Sequence, residues 1–132
     1  MGLDISADRP KLFGSLFGSV TYPRSQTVTQ ITSSITAVGI NGLSGQITTV
    51  AQSLGNGVKT TFTVNNPAVE ADDVVLVCFR TNGVSGPKHA EVAVTRVING
   101  AFDITLIGTQ ATTYDVVPVI NFVVIKTVQG DA

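Results

Sequence analysis

Tryptophan is absent from this 132-residue chain, and cysteine, histidine and methionine occur once each. One cysteine excludes an internal disulfide and any multi-cysteine zinc or iron–sulfur centre, and one histidine excludes a histidine-rich metal site within a single chain. Charge is scarce too. Asp, Glu, Lys and Arg together supply 13% of the residues and the formal net charge is -1, whereas about a quarter of an average soluble domain is charged. That balance argues against nucleic acid as a partner, because phosphate binding needs a clear basic excess. Aromatic residues, at 6%, are too few to furnish the girdles of a membrane barrel. The most apolar run, residues 116–125, is interrupted by Pro118 and Asn121 and is about half the length of a membrane-spanning helix. The first residues have neither a basic start nor a continuous apolar stretch, so they do not read as a signal peptide. Gly2 and Ser6 make only the minimal myristoylation pattern.

What is present is apolar and β-branched. Hydrophobic residues are 43% of the chain, the mean hydropathy is +0.35, and Val, Ile and Thr make up about a third of the residues, a composition that favours strands. The pattern predicts strands at 19–22, 27–33, 35–40, 45–50, 58–64, 73–81, 90–98, 101–107 and 116–128. Alternation puts Thr60, Phe62 and Val64 on one face of their strand, and Phe102, Ile104 and Leu106 on one face of theirs. On the strand before the latter, Val92, Val94, Arg96 and Ile98 share one parity. Asn-Gly pairs at 41–42, 56–57, 82–83 and 99–100 are hairpin signals, since both residue types tolerate the positive φ of a type I′ turn. One helical turn is predicted at 67–72, capped by Asn66. The fold class that follows is all-β: an antiparallel β-sandwich, of jelly-roll or immunoglobulin-like type, formed by residues 26–132.

Two strands depart from alternation. Residues 74–79 and 116–125 are apolar at nearly every position, whereas an antiparallel strand with one wet face should alternate. Both are therefore expected to be covered on two sides, the second cover being another subunit or, failing that, the N-terminal arm or a long loop. Cys78 lies inside the first of these strands and is expected to be buried as a small hydrophobe.

Residues 1–25 differ from the rest. Leu12-Phe13-Gly14-Ser15 is repeated directly as Leu16-Phe17-Gly18-Ser19. The two glycines each disfavour a helix by about 1 kcal/mol, so the segment reads as an extended arm that orders on docking. Leu12, Phe13, Leu16 and Phe17 are its candidate docking residues, toward a capsid or a neighbouring subunit.

Catalytic signatures are missing. His89, the sole histidine, follows Ser85 in a loop-like stretch, and nothing in the spacing ties the pair to Asp103 or Asp115 as a triad. No Gly-x-Ser-x-Gly elbow occurs. Glu70, Asp72 and Asp73 lack the pattern of a calcium loop and read as a solvated turn. Glu91, Asp103 and Asp115 offer carboxylates for glycoside hydrolysis without any tryptophan platform for sugars. No glycine-rich turn opens a helix after a strand, so no phosphate cradle is present. The expectation is a protein that is not an enzyme and carries no cofactor or metal.

Three stretches, Gln26-Thr27-Val28-Thr29-Gln30-Ile31-Thr32-Ser33, Ala37-Val38-Gly39-Ile40-Asn41 and Leu43-Ser44-Gly45-Gln46-Ile47-Thr48-Thr49, resemble a module of tailed-bacteriophage virion proteins. The resemblance continues through Phe62-Thr63-Val64-Asn65-Asn66, Asp73-Val74-Val75-Leu76-Val77 and Val119-Ile120-Asn121-Phe122-Val123-Val124-Ile125-Lys126. It rests on strand patterns and does not include the arm. It implies an antiparallel β-sandwich on the outer capsid surface, usually a homotrimer, made in the host cytoplasm. The expected function is that of a capsid decoration (cement) protein that binds the major capsid protein and stabilises the head, with no role for nucleic acid or membrane. The alternative is a receptor- or glycan-binding module of a head or tail fibre, its site formed by loops 81–89 and 108–115 with Tyr114 stacking on the ligand.

Overall fold

The computed structural model describes residues 26–83, 90–109 and 114–127. The arm with its four docking residues, the predicted strand at 19–22, Ser85 and His89 lie outside these residues. Among the described residues there are ten strands: β1 (Gln26–Thr29), β2 (Val38–Gly39), β3 (Ser44–Thr48), β4 (Gln52–Leu54), β5 (Lys59–Asn65), β6 (Val74–Thr81), β7 (Ala90–Ile98), β8 (Ala101–Gly108), β9 (Tyr114–Val116) and β10 (Val119–Ile125). They form two four-stranded sheets, β1-β3-β10-β6 and β2-β5-β8-β7, and a small β4-β9 pair. The first two pack face to face as a β-sandwich, with β6 next to β7 along one side and β1 next to β2 along the other.

The core follows from alternation. Phe62 and Val64 of β5, with Phe102, Ile104 and Leu106 of β8, point inward from one sheet. Ile47 of β3, Val75 of β6, and Ile120, Phe122 and Val124 of β10 point inward from the other. Phe102 and Phe122 meet between the sheets with ring centroids 5.2 Å apart, tilted by 57°, a favourable arrangement for two aromatic quadrupoles. Gly45 of β3 sits directly beneath Phe122, and a side chain there would collide with that ring and with Ile40.

The antiparallel pairings β3–β10, β6–β10, β5–β8, β7–β8 and β4–β9 build the body of the fold. The edge strands β1 and β2 instead pair in parallel, with β3 and β5 respectively. Neither reaches its neighbour through a tight turn, and only a tight turn forces the antiparallel direction. Of the three Asn-Gly pairs flanked on both sides by described residues, only Asn99-Gly100 closes a hairpin, between β7 and β8. The other two, at 41–42 and 56–57, carry the chain from one sheet to another. Nor is the 99–100 turn type I′, because Gly100 has a φ of 84° while Asn99 is not positive. Asn99 is instead engaged by the neighbouring loop: Ala71 N donates to its Oδ1 at 2.9 Å, and Gly100 N donates to Val69 O at 2.8 Å.

That loop, residues 66–73, is two successive turns rather than a helical turn. Asn66 does cap it, accepting from Ala68 N at 3.0 Å, and its buried amide also donates to Gly42 O at 2.7 Å. The predicted terminal strand is split at Val117 and Pro118 into β9 and β10, since proline has no N–H to donate to a ladder. Residues 30–36, of which 30–33 and 35–36 are predicted as strand, form a loop around Gln30. Its buried side chain accepts from Val50 N at 3.2 Å and donates to Thr36 O at 2.8 Å. Next to it Ser33 N donates to Ile31 O at 3.0 Å, and Thr32 between them has a φ of 77°. This is a strained γ-turn with a β-branched residue at its centre.

Candidate functional site

The two outer faces of the sandwich are chemically different. On the β2-β5-β8-β7 sheet, the outward side chains at the centre of the face form a polar hydrogen-bonded ladder, with Ile107 beyond it toward one end and Ile98 toward the other. Thr105 shares hydroxyl hydrogen bonds with Thr61 at 2.8 Å and with Thr95 at 3.0 Å. Asp103 accepts from Thr63 at 2.7 Å and from Arg96 Nε at 2.7 Å. A bulge between Val94 and Arg96 makes this arrangement. The extra residue shifts the parity of β7, so Arg96, expected on the face of Val92 and Val94, turns outward to Asp103, and Val97 joins the core. Burial tends to raise the Asp103 pKa, but the bonds from Arg96 and Thr63 outweigh it and hold the carboxyl below its ordinary value.

The outer face of the β1-β3-β10-β6 sheet is polar on one half and apolar on the other. Across β3 and β10, Gln46 Nε2 donates to Asn121 Oδ1 at 3.0 Å. Beyond that bond the register sets Leu76 beside Val123 and Val74 beside Ile125, with Cys78 beside Asn121. Leu76 is 53% exposed, Val74 43% and Ile125 41%. Cys78 is exposed with them, contrary to the expectation of burial. The residue type does not reveal this; the parity does, because Val75, Val77 and Phe79 take the inward positions. Leu76, Cys78, Asn121 and Val123 line a shallow depression of about 380 Å³ over the β6–β10 ladder. The two strands that lack alternation are therefore covered on one side only by the described residues.

The end of this face near Val74 is anchored by an ion pair. Lys126, just past β10, donates to Asp73 Oδ2 at 2.6 Å and to Ala68 O at 3.0 Å, and Asp73 also accepts from Glu70 N at 2.9 Å. The acidic cluster thus differs from a solvated turn: the Asp73 side chain is buried and serves as the clasp between the 66–73 loop and the end of β10. The Lys126 ammonium holds the Asp73 carboxyl below its ordinary pKa, against a smaller opposing effect of desolvation. Among the described residues, no group of three His, Cys, Asp or Glu side chains could hold a metal ion.

Compared with protein-family models, curated proteins and solved structures, the chain matches none. Its surface chemistry therefore carries the functional argument. Asp103 is committed to Arg96 and Thr63, Asp73 to Lys126, and Cys78 opens onto an apolar surface. The loops that a receptor or glycan site would use, 81–89 and 108–115, lie largely outside the described residues. Two further apolar side chains stand out in the 30–36 loop, Ile31 at 68% and Ile35 at 70% exposure, at the opposite end of the same sheet from Val74.

Proposed function

We infer that this chain is a structural protein of a virus particle: a capsid decoration (cement) protein of the tailed-bacteriophage kind, bound to the major capsid protein on the outer surface of the head. The observation that carries the reading is the contrast between the two outer faces. One is centred on a hydrogen-bonded threonine ladder suited to water. The other presents Val74, Leu76, Cys78, Val123 and Ile125 as a continuous apolar strip. The largest apolar patch on a monomer, ordinarily about 300–600 Å², is often a functional contact, and Asp73 and Asp103 are tied up in structural bonds.

The size of the strip bears on how it works. Its exposed side chains offer roughly 300 Å², well below the ~800 Å² per partner of a stable binary interface. At about 25 cal/mol per Å² this gives ~7 kcal/mol before association costs of about 4–15 kcal/mol. A single face binds weakly, and three faces held together bind by avidity. A homotrimer at a three-fold position of the shell is the assembly this reading requires. The arm residues Leu12, Phe13, Leu16 and Phe17 add a second docking element to each subunit.

Cryo-electron microscopy and gel densitometry of purified particles test the proposal. The expected result is hundreds of copies per head, with the β6–β10 face against the shell. A handful of copies confined to a fibre or tail would replace it with the receptor-binding alternative. A protein absent from particles would remove it.

A further inference from the structure

An Asn-Gly pair is a reactive group as well as a turn signal. The main-chain nitrogen that follows an asparagine can attack that residue's own carboxamide, and glycine carries no side chain to block the approach. We propose that Asn41 is a site of spontaneous modification, converted through a cyclic imide with Gly42 into aspartate and isoaspartate, while the fold withholds Asn56 and Asn99 from the same reaction. The chemistry belongs to the polypeptide itself and stands whether or not the virion reading holds.

The reaction balances with water alone. The Gly42 nitrogen gives up its proton and forms a bond to Asn41 Cγ. The Cγ–Nδ2 bond breaks, and Nδ2 leaves as ammonia with that proton. Water then adds to one of the two imide carbonyl carbons that flank the nitrogen. Opening the bond to Cγ restores the main chain and leaves aspartate. Opening the bond to the Asn41 main-chain carbonyl carbon routes the chain through Cβ and Cγ and leaves isoaspartate. Each event adds a negative charge to a chain of net charge -1.

Two requirements select the pair at 41–42: a carboxamide free to turn, and a glycine N–H that is weakly held. Asn41 is exposed on the crossing from β2 to β3, and its carboxamide makes no hydrogen bond. The peptide planes around it are held loosely. Asn41 N donates to Gln26 Oε1 at 3.3 Å, and Gly42 N donates to Asn66 Oδ1 at 3.3 Å, both beyond the ordinary N–H···O range. The short bond at this corner, from Asn66 Nδ2 to Gly42 O at 2.7 Å, lies on the next peptide plane and survives rotation of the 41–42 plane.

The other two pairs flanked by described residues fail one requirement or both. Asn56 is exposed, but Gly57 N is committed to Gly108 O at 2.8 Å. The turn around it is closed by Val58 N on Gly55 O at 3.0 Å and by Gly108 N on Val58 O at 2.9 Å. At Asn99 the carboxamide itself is held, its Oδ1 accepting from Ala71 N at 2.9 Å, and Gly100 N donates to Val69 O at 2.8 Å. A bond that must break before attack slows the reaction by about two- to tenfold, so reactivity falls in the order Asn41, Asn56, Asn99. Isoaspartate at position 41 also inserts a carbon into the main chain immediately before Gly42. That displaces Gly42 from Asn66, whose fully buried amide also caps the 66–73 loop.

The test is to age the full chain near neutral pH, folded and, in parallel, unfolded in guanidinium chloride. Mass-spectrometric peptide mapping reads deamidation at each pair, and labelling by isoaspartyl methyltransferase reads the isoaspartate share. In the folded chain the expected rate at Asn41 is at least about threefold that at Asn56 and about tenfold that at Asn99, and in the unfolded chain the three rates should converge to within about threefold. A folded-state rate at Asn41 no higher than at Asn56 or Asn99 would overturn the proposal. So would the same ranking in the unfolded chain, which assigns the selectivity to local sequence instead of to the fold. The isoaspartate-containing fraction, separated by ion exchange, should melt below the parent, and an equal melting temperature would overturn the link to Asn66.

Discussion

Replacing Gly45 by alanine probes how closely the two sheets are packed over each other. A Cβ at this position would collide with the Phe122 ring and lie 2.6 Å from Ile40 Cδ1. Neither neighbour can yield toward solvent: Phe122 is 3% exposed, Ile40 is 5% exposed, and the Phe122 ring is held against Phe102. Overpacking of this kind costs about 1–3 kcal/mol, offset by the ~0.4–1 kcal/mol that alanine gains by restricting the unfolded chain. The net expectation is a loss of about 1–2 kcal/mol, or roughly 5–15 °C in Tm for a domain of this size. Phe122→Leu alone should also destabilise, by less than the roughly 3–5 kcal/mol of a truncation to alanine. Because it removes the ring that Gly45→Ala strikes, the double variant should be more stable than the sum of the singles by at least about 0.5 kcal/mol. The residual strain against Ile40 keeps the relief incomplete. With no tryptophan in the chain, unfolding in urea is best followed by far-UV circular dichroism. Stability of Gly45→Ala within about 0.3 kcal/mol of the parent, or strict additivity in the double variant, would refute this account of the packing.

Three further outcomes follow from the same structure. Thr32→Gly should stabilise by up to about 1 kcal/mol in urea titration, because a β-branched residue at a φ of 77° is strained and relief of ~1–2 kcal/mol exceeds the entropy glycine adds to the unfolded chain; a loss of stability would contradict it. Asp73 has a native pKa below its ordinary value of 3.8. Its stabilising effect is therefore fully present above that value and is lost as pH falls through the lower native one. Asp73→Asn should flatten the decline of the urea midpoint below about pH 4, and an unchanged decline would show that the Lys126 clasp contributes nothing to acid stability. Arg96→Ala should cost at most about 1 kcal/mol at low salt, since its side chain is half exposed; a thermal melt showing a larger loss would mean that the bulge in β7 depends on the pair.

Several features of this protein are legible in the order of its residues. The inward sets Phe62/Val64 and Phe102/Ile104/Leu106 can be read there because a strand's two faces alternate with a period of two, a property set by its own backbone. The failure of alternation at 74–79 and 116–125 likewise points to a surface that water alone does not explain, and that surface is the candidate site. The arm's Leu12, Phe13, Leu16 and Phe17 stand out by repetition alone.

Other features depend on groups far apart in the chain. Asn-Gly pairs announce a change of direction, but whether the chain returns in the same sheet or crosses to the other is set by where its apolar face finds cover. Asn99-Gly100 adopts its turn because loop 66–71 supplies bonds to it, which no local pattern encodes. The bulge at Thr95 reverses the parity that would place Arg96 with Val92 and Val94, since pairing Asp103 with Arg96 and burying Val97 both favour the shift. The apolar neighbours of Cys78 suggest burial, yet it faces outward because Val75 and Val77 take the core side. The sequence by itself determined that this chain makes strands, which residues of most strands face inward, and that one pair of strands is apolar twice over. Only the tertiary structure decided which of the two apolar sides met the core and which was left as the strip. Strand faces are local, set by a backbone repeat, whereas cover is a property of the partner sheet.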